Sequence, residues 1–444
     1  MIAAEADMAK TVLIPAGGVA LGLLLLWLAL RAGSRKRLID NTPTCKTAGV
    51  YIGMVELKGT AESERPLRSF LAEMPCVWYS WMVEEHWSKT VTETYRDNKG
   101  NTQTRTRHES GWKTVADGGE QSVFFLQDDM GVIRVDPDGA KVESESVFHL
   151  ECRPGDPLYY GKGPAMSVAD SDHRRLFTER AVPLHAPLYV LGQSRLREDV
   201  VAPEIAKDRS APMFLISTRS EEQISRGMAV QFWLLGVIAV VFAVAGWVVS
   251  DAAQDRDPRL LIARYVPIAI AAVAAWVLGW VWMVYNSMAG LRQRVDQGWA
   301  NIDVQLKRRA DLIPNLVAAV KGYRDHEQAV QQHVALMRAQ AAATRPGVAG
   351  PDPQACGKAI LAIQEAYPQL KADQAFLKLQ TALADTEQRI ALAREFFNSI
   401  AAFYNARLQI IPDRFVCALA GLRPQALLAA ADFERAPVQV NLSR

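Results

Sequence analysis

Histidine, cysteine and acidic side chains lie close together at one place in the first half of the chain, where they could bind a metal. His149 and Cys152 are separated by two residues, and Asp170, Asp172 and His173 follow soon afterwards. A structural zinc site needs four ligands, which usually come as two close pairs. One pair in a strand-rich region is more typical of a core residue beside a surface residue. We therefore predict no metal and no cofactor.

Two further groups, Glu84-Glu85-His86 and His108-Glu109, combine carboxylates with histidine. Both interrupt runs of β-forming residues, so we interpret them as polar edges of strands. The chain contains no GxSxG, HExxH, P-loop or dinucleotide-binding motif, each of which would indicate a specific chemistry. We therefore assign no catalytic residue and expect a protein that is not an enzyme.

The densest positive charge lies at Lys307, Arg308 and Arg309, within the stretch QLKRRADLIPNLVAAVKGY. These bases could bind lipid head groups, or they could set the register of a helix or a contact between subunits. They lie about 30 Å along a helix from the nearest apolar run, whereas attraction to a charged surface fades within about 8 Å. Because the bases are not spread over a long surface, nucleic acid is not predicted. We favour register or subunit contacts.

Nearby polar residues are spaced for local helical interactions. Asp303 and Lys307 are four residues apart, so they share one helical face and are predicted to pair. Pro314 is predicted to kink or divide the helix, because proline clashes with the preceding turn. Asp311 would then cap the segment that begins beside Pro314.

Three uncharged runs, 12–30, 227–250 and 265–285, are long enough to cross a membrane as helices. Half of the 444 residues are hydrophobic, yet 22% are charged, which suits soluble domains joined to membrane spans. Bases follow the first run, whereas a signal peptide begins with bases and ends in a cleavable site. We therefore predict three uncleaved transmembrane helices and a lipid bilayer as partner.

Bases at the ends of these runs predict the orientation of the chain. We expect them to lie at lipid head groups on the cytoplasmic side; they are Arg31, Arg35, Lys36, Arg37, Arg292 and Arg294. The N-terminus and the turn 251–264 would then lie outside, with 38–226 and 286–441 in the cytoplasm. Five scattered cysteines without a CxxC motif are consistent with reduced, cytoplasmic domains.

Small residues recur four apart in two of the predicted spans. Gly18 and Gly22 lie in the first, and Ala271, Ala275 and Gly279 lie in the third. Such spacing lets helices approach closely in lipid, although small residues are also common in spans for no specific reason.

The region 38–226 contains short alternating runs separated by turn residues, which predicts a mainly antiparallel β domain of the α+β type. GVYIGMVELKG and CVWYSWMVEEHW each predict a strand, and RDNKGNTQT predicts a hairpin loop. The clearest pattern is SVFFLQDDMGVIRVDP, in which two strands are joined by a tight turn.

This region resembles the membrane-adjacent domain of the ubiquitin ligases called GIDE or MULAN. The similarity rests on Gly49, Gly53, SVFFLQDDMGVIRVDPDGAKVE and LYVLGQSRL. Those ligases recruit their partner enzyme through a RING, whose paired cysteine and histidine ligands bind zinc. The present chain has no such cluster after its last span. The resemblance therefore implies the fold of the domain, while ligase-type activity remains only an alternative.

From 286 to 441 the apolar period is helical, which predicts long antiparallel helices in an all-α bundle. This region resembles the LemA family of bacterial membrane proteins. The similarity lies in Tyr285-Asn286, VDQGWANIDVQLKRRADLIPNLVAAVKGY and His326-Glu327, then in the block from YPQLKADQ to IIP, and finally in Phe433 and APVQV. The resemblance implies a helical bundle anchored in the bacterial inner membrane.

The polar and aromatic signature positions are expected to make register or subunit contacts. They are Tyr285, Asn286, Trp299, Asp303, Lys307, Arg308, Arg309, Asp311, Pro314, Asn315, Glu387, Arg394, Asn398 and Asn405. We expect a homo-oligomeric scaffold or adaptor that organises or remodels membrane, or recruits cytoplasmic proteins. An envelope-stress sensor is a second alternative, although the outer turn 251–264 is too short for a folded sensor domain.

Overall fold

The computed structural model describes residues 9–96, 102–197, 202–209, 211–254, 256, 262–321 and 374–428. The chain divides into two compact units. The helical unit combines Met1–Pro43 with Glu222–Arg444, and the β unit is Thr44–Glu221. Each unit is described separately below.

The described residues of the helical unit form five helices. After a short π-helical turn at Ala9–Leu13 they are α1 (Ile14–Asp40), α3 (Glu221–Ala252), α4 (Ile262–Lys321), α5 (Gln374–Arg407) and α6 (Asp413–Leu419), while α2 (Pro157–Gly161) belongs to the β unit. Among the described residues, three helical segments are long and apolar enough to cross a membrane: Thr11–Asp40, Glu221–Ala252 and Ile262–Arg309. These segments contain the three runs predicted from the sequence.

Helix α4 continues without a break from the third apolar run into the C-terminal region. Its 60 residues include Pro314, which therefore does not divide the helix as one prediction had it. Proline removes one backbone hydrogen bond, and the neighbouring turns of so long a helix retain theirs. Asp311 consequently lies inside α4 and is not the cap of a new segment.

Helices α4 and α5 run antiparallel and pack along an apolar seam. The seam comprises side chains that are almost fully buried, among them Val295, Ile302, Leu383, Ile390, Ile400 and Tyr404. Three- and four-residue spacing places these positions on facing sides of the two helices. After α5 the chain turns at Ile411-Pro412 into α6. Residues 322–373 and 429–444 lie outside the described residues.

In the part of the β unit that the structure describes there are thirteen strands in two sheets. They are β1 (Thr44–Cys45), β2 (Gly53–Glu62), β3 (Leu67–Arg68), β4 (Pro75–Arg96), β5 (Thr102–Gln121), β6 (Phe124–Gln127), β7 (Val132–Val135), β8 (Lys141–Glu143), β9 (Ser146–Cys152), β10 (Ser171–Pro183), β11 (Pro187–Leu196), β12 (Pro203–Ala206) and β13 (Leu215–Ser217). One sheet has the order β1-β2-β6-β7-β12-β11-β13-β8, and the other has the order β3-β4-β10-β9 with β5 paired to β4.

Most of these strand pairs are antiparallel, so the predicted β-rich domain and the C-terminal helices are confirmed. Parallel pairing occurs only between β1 and β2, β7 and β12, and β8 and β13 among the described strands. The predicted hairpin is formed by β6 and β7, with Leu126 opposite Ile133. The loop predicted at 96–104 is shorter than expected, because β4 extends to Arg96 and β5 begins at Thr102.

Candidate functional site

The ends of α1, α5 and α6 meet in a network of polar side chains that we call the junction: Arg37, Asp40, Asn41, Arg407 and Asp413. Arg37 donates hydrogen bonds from Nη1 and Nη2 to the two carboxylate oxygens of Asp413, at 2.8 and 2.7 Å. Arg407 donates from Nε to Asn41 Oδ1 at 2.9 Å and from Nη2 to Asp40 Oδ2 at 3.4 Å. Arg407 Nη1 also lies 3.8 Å from Asp413 Oδ2. The end of α1 is thereby joined to the neighbouring ends of α5 and α6, which lie more than 360 residues further along the chain.

The pair at the centre of the junction is withdrawn from water. The side chain of Asp413 is 3% exposed and that of Arg37 is 12% exposed. Asp413 is also the first residue of α6, where the helix dipole favours a negative charge. A planar guanidinium that holds both oxygens of a carboxylate fixes the orientation as well as the distance of its partner. The junction therefore fixes the position of α6 against α1.

Two further helices contact the same end of α1. Ser225 of α3 donates to Asp40 Oδ1 at 2.6 Å. In α4, Ser287 accepts a hydrogen bond from Asn41 Nδ2 at 3.0 Å. All five helices of the helical unit are thus linked by side chains around the last turn of α1.

The bases expected at lipid head groups divide into two sets. Arg37 binds Asp413, Arg294 donates from Nη1 to Thr42 Oγ1 at 2.6 Å, and Lys36 binds Asp40 at 2.5 Å. These contacts lie within the protein, which differs from the expected role at head groups. The other set is Arg31, Arg35 and Arg292; Arg31 and Arg292 are exposed, Arg35 is half-buried, and the guanidinium of Arg31 lies over the ring of Trp27 at 5.3 Å.

The three consecutive bases on α4 point in different directions, because neighbouring residues of an α-helix lie on different sides of it. Lys307 is exposed, and the half-exposed Arg308 lies 3.8 Å from Asp385 of α5. Arg309 is 5% exposed and lies 3.6 Å from Glu387 of α5. One member of the triplet therefore faces the partner helix, while the other two face outwards.

The predicted pair between Asp303 and Lys307 does not form. Asp303 Oδ1 is buried without a hydrogen-bond partner among the described residues, and Lys307 extends into solvent. An exposed pair four residues apart is worth only about 0.2–0.5 kcal/mol, which does not exceed the entropy lost by ordering a lysine side chain.

Two signature asparagines on α5 hold an extended segment that follows α6. Asn398 donates from Nδ2 to the carbonyl of Leu428 at 2.9 Å, and its Oδ1 accepts from the backbone N–H of Leu428 at 2.8 Å. Asn405 does the same with Gln425, at 2.8 Å in both directions. Seven helical residues rise about 10.5 Å, and three extended residues span about 10 Å. The two spacings match, so each asparagine meets a backbone amide of the segment. We call this arrangement the asparagine ladder.

The remaining signature residues are distributed along α4 and α5. Trp299 packs edge-on against Phe397 of α5, with ring centroids 5.2 Å apart. Tyr285 and Asn286 are exposed, and Arg394 is half-buried. Asn315 lies near the end of α4.

Small residues in the apolar segments lie where helices approach closely. A side chain at Gly18 would place its Cβ 2.7 Å from Gly246 Cα of α3, and one at Gly22 would lie 3.0 Å from the carbonyl of Ala239. A Cβ at Gly279 would lie 2.5 Å from Leu30 of α1. Ala271 and Ala275 line an apolar cavity of about 310 Å³ between α1, α3 and α4.

A buried ion pair in the β unit was not predicted. Glu85, interpreted from the sequence as a strand edge, has a fully buried side chain that accepts from Arg175 Nε and Nη2 at 3.1 Å. The Arg175 guanidinium lies 4.0 Å from the centroid of the Tyr159 ring. Burial would raise the pKa of Glu85, but hydrogen bonds from Ser171 and Arg175 and the positive charge of Arg175 outweigh it and lower the pKa. The alternation of apolar and polar residues along a strand could not predict this ion pair, because Arg175 lies ninety residues further along the chain.

No group of three histidine, cysteine, aspartate or glutamate side chains that could bind a metal occurs within the described parts of the chain. The four cysteines there, Cys45, Cys76, Cys152 and Cys417, are buried free thiols. Burial raises the pKa of Cys417, and the charge of Asp413 adds to this effect. A buried thiol with a raised pKa is a weak nucleophile.

The helices that build the junction and the asparagine ladder match a known protein family. Residues 298–442 match the model of the LemA family. The C-terminal third is a LemA-family region. The match includes both ladder asparagines and the partners of Arg37 and Asp40 within the junction. The LemA match begins after the third apolar run, whereas the similarity seen in the sequence began within that run.

The middle of the chain matches a second family. Residues 92–250 match the GIDE model, which is described as an E3 ubiquitin ligase. This match covers most of the β unit and continues into α3. The chain therefore joins a GIDE-type region to the LemA region, as the sequence predicted.

Relatives of the LemA type include two magnetosome proteins. The chain is 24% identical over 206 residues to magnetosome protein MamQ of Magnetospirillum gryphiswaldense, covering 39% of this chain and 74% of MamQ. It is 23% identical over 205 residues to magnetosome protein MamQ 2 of Paramagnetospirillum magneticum, covering 38% and 74%. LemA-family similarity and the three apolar helices together indicate a membrane protein.

Proposed function

We propose that the chain is a non-enzymatic scaffold of the bacterial inner membrane, which assembles with copies of itself to organise or remodel membrane or to recruit cytoplasmic proteins. The observation that carries the proposal is the junction. A scaffold must hold its soluble part in a fixed position relative to its membrane helices. The bidentate contact between Arg37 and Asp413 does this at a site where the side chains are almost inaccessible to water.

In this proposal the three apolar helices cross the membrane with the N-terminus outside. The β unit and the LemA region then both lie in the cytoplasm, since two spans separate them. Reporter fusions at 255 and at 444 test this arrangement. An extracytoplasmic C-terminus would contradict it.

The outward bases of α4 are the proposed contact with a second copy. Lys307 and Arg308 are exposed, and Arg308 has only a distant, half-exposed partner in Asp385. Such a pair contributes about 0–1 kcal/mol to the stability of its own subunit. These bases are therefore available for another subunit with little loss of internal stability.

Native mass measurement in mild detergent tests the assembly directly. The full-length chain is expected to form oligomers, and monomers alone would reject the scaffold proposal. Arg308→Ala is expected to reduce assembly while membrane insertion and folding stay intact. The matched control is Arg423→Ala, which removes another exposed arginine, beyond α6, and is expected to leave assembly unchanged.

The second candidate is a regulator or enzyme of the ubiquitin-ligase type, and the match of 92–250 to the GIDE model supports it. The absence of paired cysteine and histidine ligands after the last span argues against it. Zinc content and binding of a ubiquitin-conjugating enzyme by the full-length chain distinguish the two. Negative results in both measurements would remove this candidate.

A further inference from the structure

The side of α6 that faces away from the junction carries exposed apolar side chains, and so does the turn before it. Phe415 and Leu419 of α6 are four residues apart and are 67% and 88% exposed, and Ile411 in the preceding turn is 67% exposed. Asp413, Val416 and Cys417 lie on the other side of the helix and are buried. Large apolar side chains repeated on one exposed face indicate a surface that contacts another apolar phase.

The height of this surface relative to the apolar helices follows from contacts around α1. Gly33 packs against Phe232 of α3 and Met283 of α4. Seven and eight residues beyond Gly33, Asp40 binds Ser225 of α3 and Asn41 binds Ser287 of α4. Residue 37 therefore lies level with residues between 225 and 232 on α3 and between 283 and 287 on α4.

These intervals contain the ends of the two other apolar runs. The uncharged run of α3 begins at 227, and that of α4 ends at 285. Arg37 lies seven residues, or about 10 Å, past the end of the uncharged run of α1 at residue 30. It is thus at the level of the lipid head groups, just outside the hydrocarbon core. Because Arg37 binds Asp413 at 2.7 and 2.8 Å, the first residue of α6 lies at this level too.

We propose that the segment Ile410–Leu419 is a membrane-surface anchor, with the side chains of Ile411, Phe415 and Leu419 inserted into the interfacial region of the leaflet beside α1. The occupant of this surface is lipid, because the contact of Asp413 with Arg37 holds α6 at head-group level beside the apolar helices. Arg414 is exposed on the same short helix and can meet anionic head groups. An apolar face beside a base is the pattern of interfacial helices. The proposal rests on the membrane insertion proposed above, and it is independent of the scaffold role.

Photo-crosslinking to lipid tests the anchor in the full-length chain, reconstituted in nanodiscs of phosphatidylethanolamine and phosphatidylglycerol. The photoreactive residue p-benzoylphenylalanine replaces Phe415, an exposed position where a larger aromatic group is accommodated. Two positions on α4 serve as matched controls, since both are exposed and apolar: Leu278 within the apolar run at 69% and Val304 far along the helix at 61%. Adducts are counted by intact mass.

Lipid adducts at position 415 are expected at least about tenfold above those at 304, because inserted apolar side chains strongly prefer lipid. Adducts at 278 with none at 415 above the level at 304 would overturn the anchor while leaving membrane insertion intact. Crosslinks from 415 to a second copy would also overturn it and would make the surface a subunit contact. No adducts at 278 would reject insertion, and the anchor with it.

A second variant tests the apolar face itself. Phe415→Ser combined with Leu419→Ser removes two inserted side chains but leaves Asp413 and its contact with Arg37. Lipid adducts from p-benzoylphenylalanine at Ile411 are expected to fall about tenfold in this background. Unchanged yield, with thermal stability preserved, would overturn the proposal.

Discussion

Arg37 and Asp413 are 376 positions apart in the chain, yet they form a two-pronged ion pair. One belongs to the last turn of the first apolar helix and the other begins the last described helix. Uncharged length predicted the first of these helices, but no local pattern could bring its end together with Asp413. The contact closes the helical unit from its N-terminal to its C-terminal part, so it is the natural first target for mutation.

Arg37→Ala is expected to destabilise the helical unit by about 3 kcal/mol, because it leaves the buried carboxylate of Asp413 without its main partner. Thermal unfolding of the full-length protein in detergent measures the change. Lys36→Ala is the matched control: it removes the neighbouring base, whose pair with Asp40 is partly exposed, and is expected to cost less than about 1 kcal/mol. Equal losses of stability in the two variants would show that the loss does not come from the ion pair of Arg37 with Asp413.

Asn398→Ala is expected to release the extended segment from α5 near Leu428. The substitution removes one donor and one acceptor, and each hydrogen bond contributes about 0.5–1.5 kcal/mol. Amide exchange at Leu428 should therefore become at least about fivefold faster. Asn398→Asp is the control, because it keeps the oxygen that accepts from the Leu428 N–H. Loss of protection at Leu428 but not at Gln425 would show that the two asparagines act separately.

Glu85 predicts an acid-dependent loss of stability in the β unit. Its folded pKa lies below the ordinary value of 4.5, so its ion pair stabilises the fold fully above that value and is lost as pH falls through the lowered pKa. Glu85→Gln should remove this dependence and leave Arg175 buried without a counter-charge, at a cost of about 3 kcal/mol at neutral pH.

Hydrogen exchange of the full-length protein at several pH values measures the effect of Glu85→Gln. The control is Glu151→Gln, because Glu151 pairs with Arg174 where both side chains are exposed, and solvent screens such a pair. A wild-type β unit whose stability is flat below pH 4.5 would contradict the prediction.

Gly18→Leu is expected to disturb the packing of α1 on α3, because even a Cβ at this position would lie 2.7 Å from the backbone of Gly246. Gly17→Leu is the matched control, since a Cβ there has no atom within 4 Å. Thermal unfolding in detergent should show a lower midpoint for the first variant and an unchanged or higher one for the second. Similar midpoints would mean that α1 and α3 do not pack through Gly18.

Local patterns were sufficient for much of the fold. Alternation and a tight turn predicted the hairpin of β6 and β7, and uncharged length predicted the apolar helices. Pairings between distant segments were not predictable, because a base beside a span looks the same whether it faces lipid or an aspartate. Arg37 was expected at head groups for this reason, and Glu85 was assigned to a strand edge because its partner lies in β10.

The sequence could not predict which base of the triplet Lys307, Arg308 and Arg309 faces inwards. The position of the triplet on a helix was clear, but the inward-facing base depends on where α5 packs. Arg309 turns towards Glu387, while Arg308 remains half-exposed. A single-helix pattern could not choose between them. Asparagines 398 and 405 were singled out by family resemblance, and only the three-dimensional path of residues 425–428 explains their spacing.

In the proposed membrane arrangement, the uninterrupted helix α4 is a long arm that pivots where it leaves the bilayer. Beyond Tyr285 it continues for roughly 36 residues, or about 54 Å. A span that tilts by about 10° to match a thinner bilayer would swing the far end of this arm by about 9 Å. Small differences in membrane thickness would thereby become differences in spacing between the distal tips of neighbouring molecules.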